Sequence, residues 1–438
     1  MKIKHISIFI LLALAAVLLT GCGTDAAPEV IKETVIVPET VEKLVTAVPE
    51  PAGPVTISFW HGFNELETQT LDEVVIPAFE AAFPDIDVES LNVPYDQFRR
   101  KLLTSMAGGT APDLIRSDII WVPEFADMGA LARLDEVMPD FQDYADKMFP
   151  GPLSTNYFKG GYYGLPLDTN TRILVYNKDM FDDAGIDAPP ATMDEFLAAC
   201  EKIQALGAEK YCFADGGTYA WAVNPWIWSF GGDVTDPDIT TATGYLDGDA
   251  TKAAYEFLKM LVDEGYMHPG ILGGGVDTWG GFGNDEIAMI LEGPWFPPFY
   301  GGEAEYGFAP MPAGDGGSIS VVGGEDIVLF QQSDNKEAAL EFLRWMLSED
   351  TQLTMAEVGV MPVLTSILET DEMQNHEFYG YFLDQIKTSK ARSPHPAWSK
   401  IEETYNLAGG TVLRGEGSFE DSLGAAAVTI DGLLPLQE

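Results

Sequence analysis

The sequence predicts an α/β protein of two lobes, on three observations. From Val55 onward, strand-like and helix-like patterns alternate, which is the signature of parallel strands joined by crossover helices. Beyond a leader and tether about 385 residues remain, enough for two domains with cores of their own. Between the halves runs Gly161–Phe181, an extended stretch with a polar middle, Asp168 to Arg172, and apolar ends. A polar middle can line a cleft while apolar ends anchor in two cores, as a hinge strand requires. A buried edge strand with polar outward positions reads much the same.

Taken in order, the chain opens with Met1-Lys-Ile-Lys4, an apolar run from Ile8 to Leu19, then Thr20, Gly21 and Cys22. A basic start, a short apolar core and small residues make a secretory signal, too short to span a bilayer. Leu19-Thr20-Gly21-Cys22 resembles a bacterial lipobox, in which the cysteine is lipidated and becomes the new N-terminus; an ordinary signal peptide containing a cysteine is the alternative. One such anchor holds a protein at a membrane surface without spanning it. Residues 22–53 turn to Pro, Glu, Thr, Val and Ala without core periodicity, which reads as a flexible tether.

Val55–Gly62 alternates as a strand ending in Trp60 and His61. Apolar residues at helical spacing run from Leu71 to Ala82, with Pro77 expected to kink them or start a fresh turn. Asp87–Val93 reads as a strand, Gln97–Ala107 as a helix stopped by Gly108-Gly109, and Pro112–Asp118 as a third strand. Ligands sit beyond the carboxyl ends of such strands, which puts Trp60, His61 and Asp118 on one rim. Thr192-Met-Asp-Glu195 is a capping box for a helix to about Leu206, followed by a strand, Tyr211–Ala214. A helix and the strand after it can bring Cys200 and Cys212 within bridging distance, and an oxidising exterior favours that pair. Asp249 caps a helix ending at Glu264. Ser318–Val328 is extended, Asn335–Leu347 and Glu349–Val358 are helical, and helical patterning resumes after Trp398.

Across this order run Ala81-Ala-Phe-Pro-Asp85, Ala111-Pro-Asp113, Gly164-Leu-Pro166, Val175-Tyr-Asn-Lys-Asp179, Ile287-Ala-Met289, Gly293-Pro-Trp295 and Gly323-Gly324. From about Thr56 to the C-terminus this ordered set resembles the maltose-binding-protein-like family, the extracytoplasmic solute-binding proteins of sugar ABC importers. The resemblance implies a type II periplasmic-binding-protein-like fold: two α/β lobes around a ligand cleft, with three crossings, near Asn170, Gly324 and Met361. The expected division is signal peptide 1–21, lipidated tether 22–53, first lobe 54–168, second lobe 169–323, first lobe again 324–360, and second lobe again 361–438.

Sugar sites use aromatic rings against the C–H faces of the pyranose and planar polar groups on its hydroxyls. The resemblance places Trp60, Trp295 and Trp398 at the cleft, and Asn170 at the hinge position that touches ligand. Trp345 lies within a helix and reads as core. Arg172 either bonds ligand or braces the hinge. Asp118 can accept from hydroxyls or be a solvated loop acid. Gly323 and Gly324 let backbone approach a ligand, with Glu325, Asp326 and His61 as further candidates. Trp228 and Gly231-Gly232-Asp233 form a far wall or a plain turn. Arg172 is the one cation expected near the cleft, which disfavours a dianionic phosphate.

Formal charge is −45, and losing a leader with Lys2 and Lys4 takes it to about −47, which argues against nucleic acid and anionic polymers as partners. The expected partners are a carbohydrate, the permease subunits of an ABC transporter, and the membrane through Cys22; the protein itself is expected to be a monomer. No Gly-x-Ser-x-Gly, His-Glu-x-x-His, phosphate loop or Cys-x-x-Cys occurs. Five scattered histidines do not make a metal site, and the acids of Asp233–Asp238 lack calcium-loop spacing. No enzyme, cofactor or metal is therefore expected. The rival readings are a secreted hydrolase with paired carboxylates, recognised by sugar turnover, and a binder of polyamine, peptide or glycerol phosphate.

Overall fold

The computed structural model describes residues 53–435. The signal peptide, Cys22 and nearly all of the tether lie outside the described residues. In chain order the main strands are β1 Val55–His61, β2 Ile86–Asn92, β3 Leu114–Asp118, β4 Leu165–Thr171, β5 Ile173–Asn177, β6 Tyr211–Ala214, β7 Ile287–Glu292, β8 Tyr306–Ala309, β9 Val321–Leu329 and β10 Lys390–Ala391. They form a six-stranded sheet in the order β10-β9-β3-β1-β2, with β4 also paired to β9, and a four-stranded sheet in the order β8-β5-β7-β6. β1 lies parallel to both β2 and β3, as the strand–helix alternation predicts. β9 then runs antiparallel to both β3 and β4. In the second sheet β5 runs antiparallel to β7 and β8 while β6 lies parallel to β7, so both sheets are mixed.

The local chemistry explains the elements. In β1, Ile57, Phe59 and His61 point inward and are buried, while Trp60 is half-buried between them. Asn64 and Glu67 form a reciprocal capping box for helix Glu65–Thr70. That helix continues through a π-turn, Leu71–Val75, into Ile76–Ala82. Pro77 falls in the first turn after the π segment, where its missing N–H breaks no regular bond, so the helix passes through it. Thr192 caps Met193–Gln204 as expected, its Oγ1 accepting from the Glu195 N–H, while the Glu195 carboxylate turns back to the Ala191 N–H. Cys200 on this helix and Cys212 in β6 are joined by a disulfide.

The sheets show where the chain changes lobe. β4 belongs to the first sheet and β5 to the second, and Arg172 alone separates them. The return lies between the end of β8 at Ala309 and the start of β9 at Val321. The third crossing is not at Gly359–Val363. Val360, Met361, Val363, Leu364, Phe382 and Leu383 all pack in the core under the first sheet, together with Ile57, Phe59 and Phe342. The chain leaves that core only at β10, whose two residues pair with Val321 and Val322. Helices Trp398–Leu413 and Phe419–Asp431 then pack against helix Asp249–Asp263 of the second lobe, where Tyr255 lies beside Phe419 and Gly409. The block expected as 361–438 thus divides near residue 390: its apolar helices up to Ile386 satisfy their buried faces against the first sheet.

Among the described residues, no helix is long and apolar enough to cross a membrane. No cluster of three or more His, Cys, Asp or Glu side chains is arranged to hold a metal ion.

Candidate functional site

A cavity of about 500 Å³ opens where the crossings meet, within the range of small-molecule sites. Each part of the molecule contributes. Helix Tyr95–Ala107 brings Tyr95 and Asp96, and the end of β3 brings Asp118. β4 brings Asn170, and β9 brings Gly323, Gly324 and Glu325. From the second lobe come Tyr219, Trp221 and Trp295, and from the third crossing and the helix after it come Arg392 and Glu402.

The aromatic element is a pair. The Trp221 and Trp295 rings lie with centroids 6.4 Å apart and 29° between their planes. Trp295 is held by its indole N–H, which donates to Glu292 at 3.1 Å. The Arg392 guanidinium stands 5.7 Å over the Trp221 ring and donates to Asp118 at 3.1 Å. Asp118 also accepts from the Tyr95 hydroxyl at 2.6 Å and from the Ile120 N–H at 3.0 Å. Arg392 therefore ties the rim of the first lobe to an aromatic face of the second.

The electrostatics of the floor follow from strand register. Glu325 on β9 stands opposite Asp118 on β3 and opposite Asp168 on β4, so three acids lie abreast. Like charges side by side on a sheet repel. Arg116, on the same strand as Asp118, offsets this: it donates to Asp168 at 2.8 and 3.2 Å and to Glu325 at 2.6 Å, with its guanidinium 4.3 Å over the Phe63 ring. Burial pushes the Glu325 carboxyl well above its ordinary range; Arg116 opposes the shift and Asp168 adds to it. Burial also raises the Glu402 carboxyl, against the pull of Arg392. The Tyr219 phenol is pushed up to about 12 by burial and the nearby Asp215.

Two buried polar atoms at this site have no partner. Asn170 is 6 % exposed and its Oδ1 is unpaired; Arg392 is 7 % exposed and its Nε is unpaired. Unpaired buried groups are costly in a folded protein, and both residues line the cavity. Gly323 and Gly324 make the close approach possible. A Cβ on Gly323 would collide with Asn170 Oδ1 and the Trp221 ring, and Gly324 has φ +124°, outside the reach of ordinary side chains.

Of the residues singled out from the sequence, Asp118, Asn170, Trp295, Gly324 and Glu325 line the cavity together. Five others do not. His61 is fully buried between Phe59 and Phe63, with Nε2 3.0 Å from Ser90 Oγ; burial and the charge on Arg116 hold its pKa at about 3. It points inward because it occupies an inward position of the alternating β1. Trp60, on the opposite face of β1, packs against apolar neighbours with Lys101 Nζ 4.7 Å over its ring. Arg172 spends its donors inside the hinge, on Asp215 at 2.8 Å and on the carbonyls of Trp221 and Leu291. Trp228 donates to Asp233 at 2.9 Å beside a separate groove that includes Lys390. Trp398 is 1 % exposed and packs against Tyr405 in the core of the second lobe. Asp326 is likewise buried, held by Asn156 at 2.7 Å and Thr155 at 3.2 Å. Trp345 packs edge-on against Phe79 and Phe83, in keeping with a core assignment.

The sequence reading missed Tyr95, Asp96, Tyr219, Arg392 and Glu402, and did not single out Trp221 from its neighbours Trp226 and Trp228. Arg392 also corrects the expectation that Arg172 would be the cation near the cleft. A cation directly after a two-residue crossing strand gives no periodic signal.

The profile of the bacterial extracellular solute-binding protein family matches residues 64–353. A Brucella abortus protein, named only as a binding protein, is 30 % identical over 375 residues, covering 83 % of this chain and 89 % of its own. The maltotriose-binding protein of Pyrococcus abyssi is 27 % identical, covering 74 % of this chain and 70 % of its own. In three dimensions the chain is similar to the GacH receptor of Streptomyces glaucescens, solved unliganded and with acarbose, at a TM-score of 0.78 and 26 % identity over 87 % of this chain and 98 % of that one. With the profile spanning well over half the chain, the two mixed sheets and the cavity at their crossings, the chain belongs to the bacterial extracellular solute-binding protein family, the non-enzymatic solute-capturing component of a transporter.

Proposed function

We propose that this protein captures a carbohydrate, from mono- to oligosaccharide, by closing its two lobes around it. It delivers the sugar unchanged to the permease of an ABC importer, and a lipid on Cys22 holds it at the cell membrane. The observation that carries the reading is the Trp221–Trp295 pair facing buried, unpaired Asn170 Oδ1 and Arg392 Nε in one cavity. Indole faces suit the C–H face of a pyranose, and the unpaired acceptor and donor suit its hydroxyls. The named ligands of similar proteins, maltotriose and acarbose, lend support. Because residues on both lobes would touch the sugar, it would bind the closed form better than the open one, which is the free energy that drives closure.

The test is calorimetric titration against a carbohydrate panel, with small-angle scattering on any ligand found. Trp295→Ala is expected to weaken affinity by about 1–3 kcal/mol, roughly tenfold to a hundredfold, and Asn170→Ala by about 1 kcal/mol or more. Saturation without compaction would remove lobe closure from the proposal. Unchanged affinity in Trp295→Ala would remove the ring from the site. For the anchor, Cys22→Ser should shift the protein from the detergent phase to the aqueous phase; equal partitioning would refute lipidation.

A further inference from the structure

The cavity is richer in acidic side chains than a neutral sugar needs. Five carboxyl groups line it or lie directly behind it: Asp96, Asp118, Asp168, Glu325 and Glu402. Two guanidinium groups answer them. Arg392 is committed to Asp118, and Arg116 is shared between Asp168 and Glu325. Glu402 accepts from the Ala220 N–H at 3.0 Å and lies near the Trp398 indole N–H, both neutral donors. Asp96 is exposed at the cavity mouth. Asp96 and Glu402 are thus left without a direct ion pair, and Arg116 serves two acids at once.

Hydrogen-bond capacity leans the same way. Asn170 Oδ1 is a buried acceptor with nothing donating to it, and Glu402 and Asp96 add carboxylate acceptors. Against these stands one unpaired buried donor, Arg392 Nε. The Trp295 indole N–H is already given to Glu292. A hydroxyl donates and accepts, whereas an ammonium group only donates. The two indole faces add a surface on which a cation is favoured as well as a C–H face.

We propose that the cavity selects a carbohydrate bearing a protonated amine, an amino sugar or an aminocyclitol-containing saccharide, over its neutral counterpart. This rests on the carbohydrate reading above and narrows it. The ammonium sits among Glu402, Asp96 and Asn170 Oδ1, and the sugar ring lies against Trp221 and Trp295. Burial raises the Glu402 carboxyl and Arg392 only partly offsets it, so an ammonium beside it would favour its ionised form.

The test is competitive calorimetry on the purified protein at pH 7 with matched pairs. Each pair sets an amine against its hydroxyl parent: glucosamine against glucose, galactosamine against galactose, chitobiose as the free diamine against cellobiose, and trehalosamine against trehalose. Spermidine serves as a sugar-free cation. The expected result is at least one amine bound tenfold or more tighter than its parent, with that ratio shrinking at 0.5 M salt as screening sets in. Glu402→Gln keeps an acceptor for the Ala220 N–H and is expected to cut the ratio at least fivefold. Neutral parents bound as tightly as the amines would overturn the inference and leave the carbohydrate reading standing. Spermidine bound with no saccharide, or no binding at all, would overturn both.

Discussion

Replacing Arg116 with methionine tests the electrostatic account of the site without any ligand. Arg116→Met removes the cation that bridges β3, β4 and β9 and leaves Asp168 and Glu325 opposite each other, with Asp118 beyond. Asp168 is 3 % exposed, so water cannot take over the role. Breaking a buried pair by removing one partner costs about 3–5 kcal/mol, because a buried charge is left uncompensated. Methionine matches the apolar stem of arginine and keeps contact with the Phe63 ring, so lost packing is a small part of the change. The sign of the pH effect follows from linkage. Once the cation is gone the native carboxyls bind protons more readily than unfolded ones, so the loss is largest at neutral pH and shrinks as pH falls. Urea unfolding followed by tryptophan fluorescence should show a loss of about 4 kcal/mol at pH 7.5 and less than about half of that at pH 5. Adding Asp168→Asn and Glu325→Gln should recover much of the deficit at pH 7.5. A loss below about 1 kcal/mol, or the same loss at both pH values, would refute the bridging role.

Three further outcomes follow from the packing. His61 is neutral when folded, with a pKa of about 3 against 6.5 when unfolded, so it loses stability as pH falls below 6.5, about 1.4 kcal/mol at pH 5.5. The raised acids Glu67, Glu292, Glu325 and Glu402 act in the opposite direction, so the measurement is a difference: His61→Gln should lower the stability gap between pH 7.5 and 5.5 by that amount, and an unchanged gap would count against burial as a neutral ring. Trp398→Ala should cost about 3–5 kcal/mol in urea unfolding as a core truncation, whereas Trp295→Ala should act mainly on affinity; the reverse pattern would return Trp398 to the site. Cys200→Ser with Cys212→Ser opens a 12-residue separation and should cost about 3 kcal/mol in the chain-entropy model; an unchanged urea midpoint would refute that account.

Much of the fold was legible because it rests on periodicity. β1, β2 and β3 alternate, the capping box at Thr192 announces its helix, and the polar run ending in Arg172 does join two sheets. The lining of the cavity was legible where a residue breaks such a pattern: Trp295 after Gly-Pro, and Gly323-Gly324 between the apolar start and the acidic middle of their strand. It failed where a pattern gives no reason to look. Tyr95 and Glu402 sit on polar helix faces that read as solvated. His61 was placed by strand-end position, although alternation already sent its side chain inward. The third crossing was put some thirty residues early because Gly359-Val-Met-Pro-Val363 looks like a strand, whereas the true crossing pairs through only Lys390 and Ala391.

That late crossing bears on how the protein is made. The second lobe cannot finish its core until the last helices arrive: Ala220 bonds Glu402, Asn224 bonds Tyr405, and Thr218 bonds Asn406, pairs separated by more than 180 positions. Contacts that distant in sequence form slowly, because the intervening loop must be closed before they contribute. During synthesis from the N-terminus, the strands of the second sheet would therefore wait, with the Tyr255 ring uncovered, for helices encoded at the far end of the message. A stop codon anywhere before Trp398 would leave the waiting surface permanently bare, and such products should fall to proteolysis rather than accumulate as soluble half-molecules.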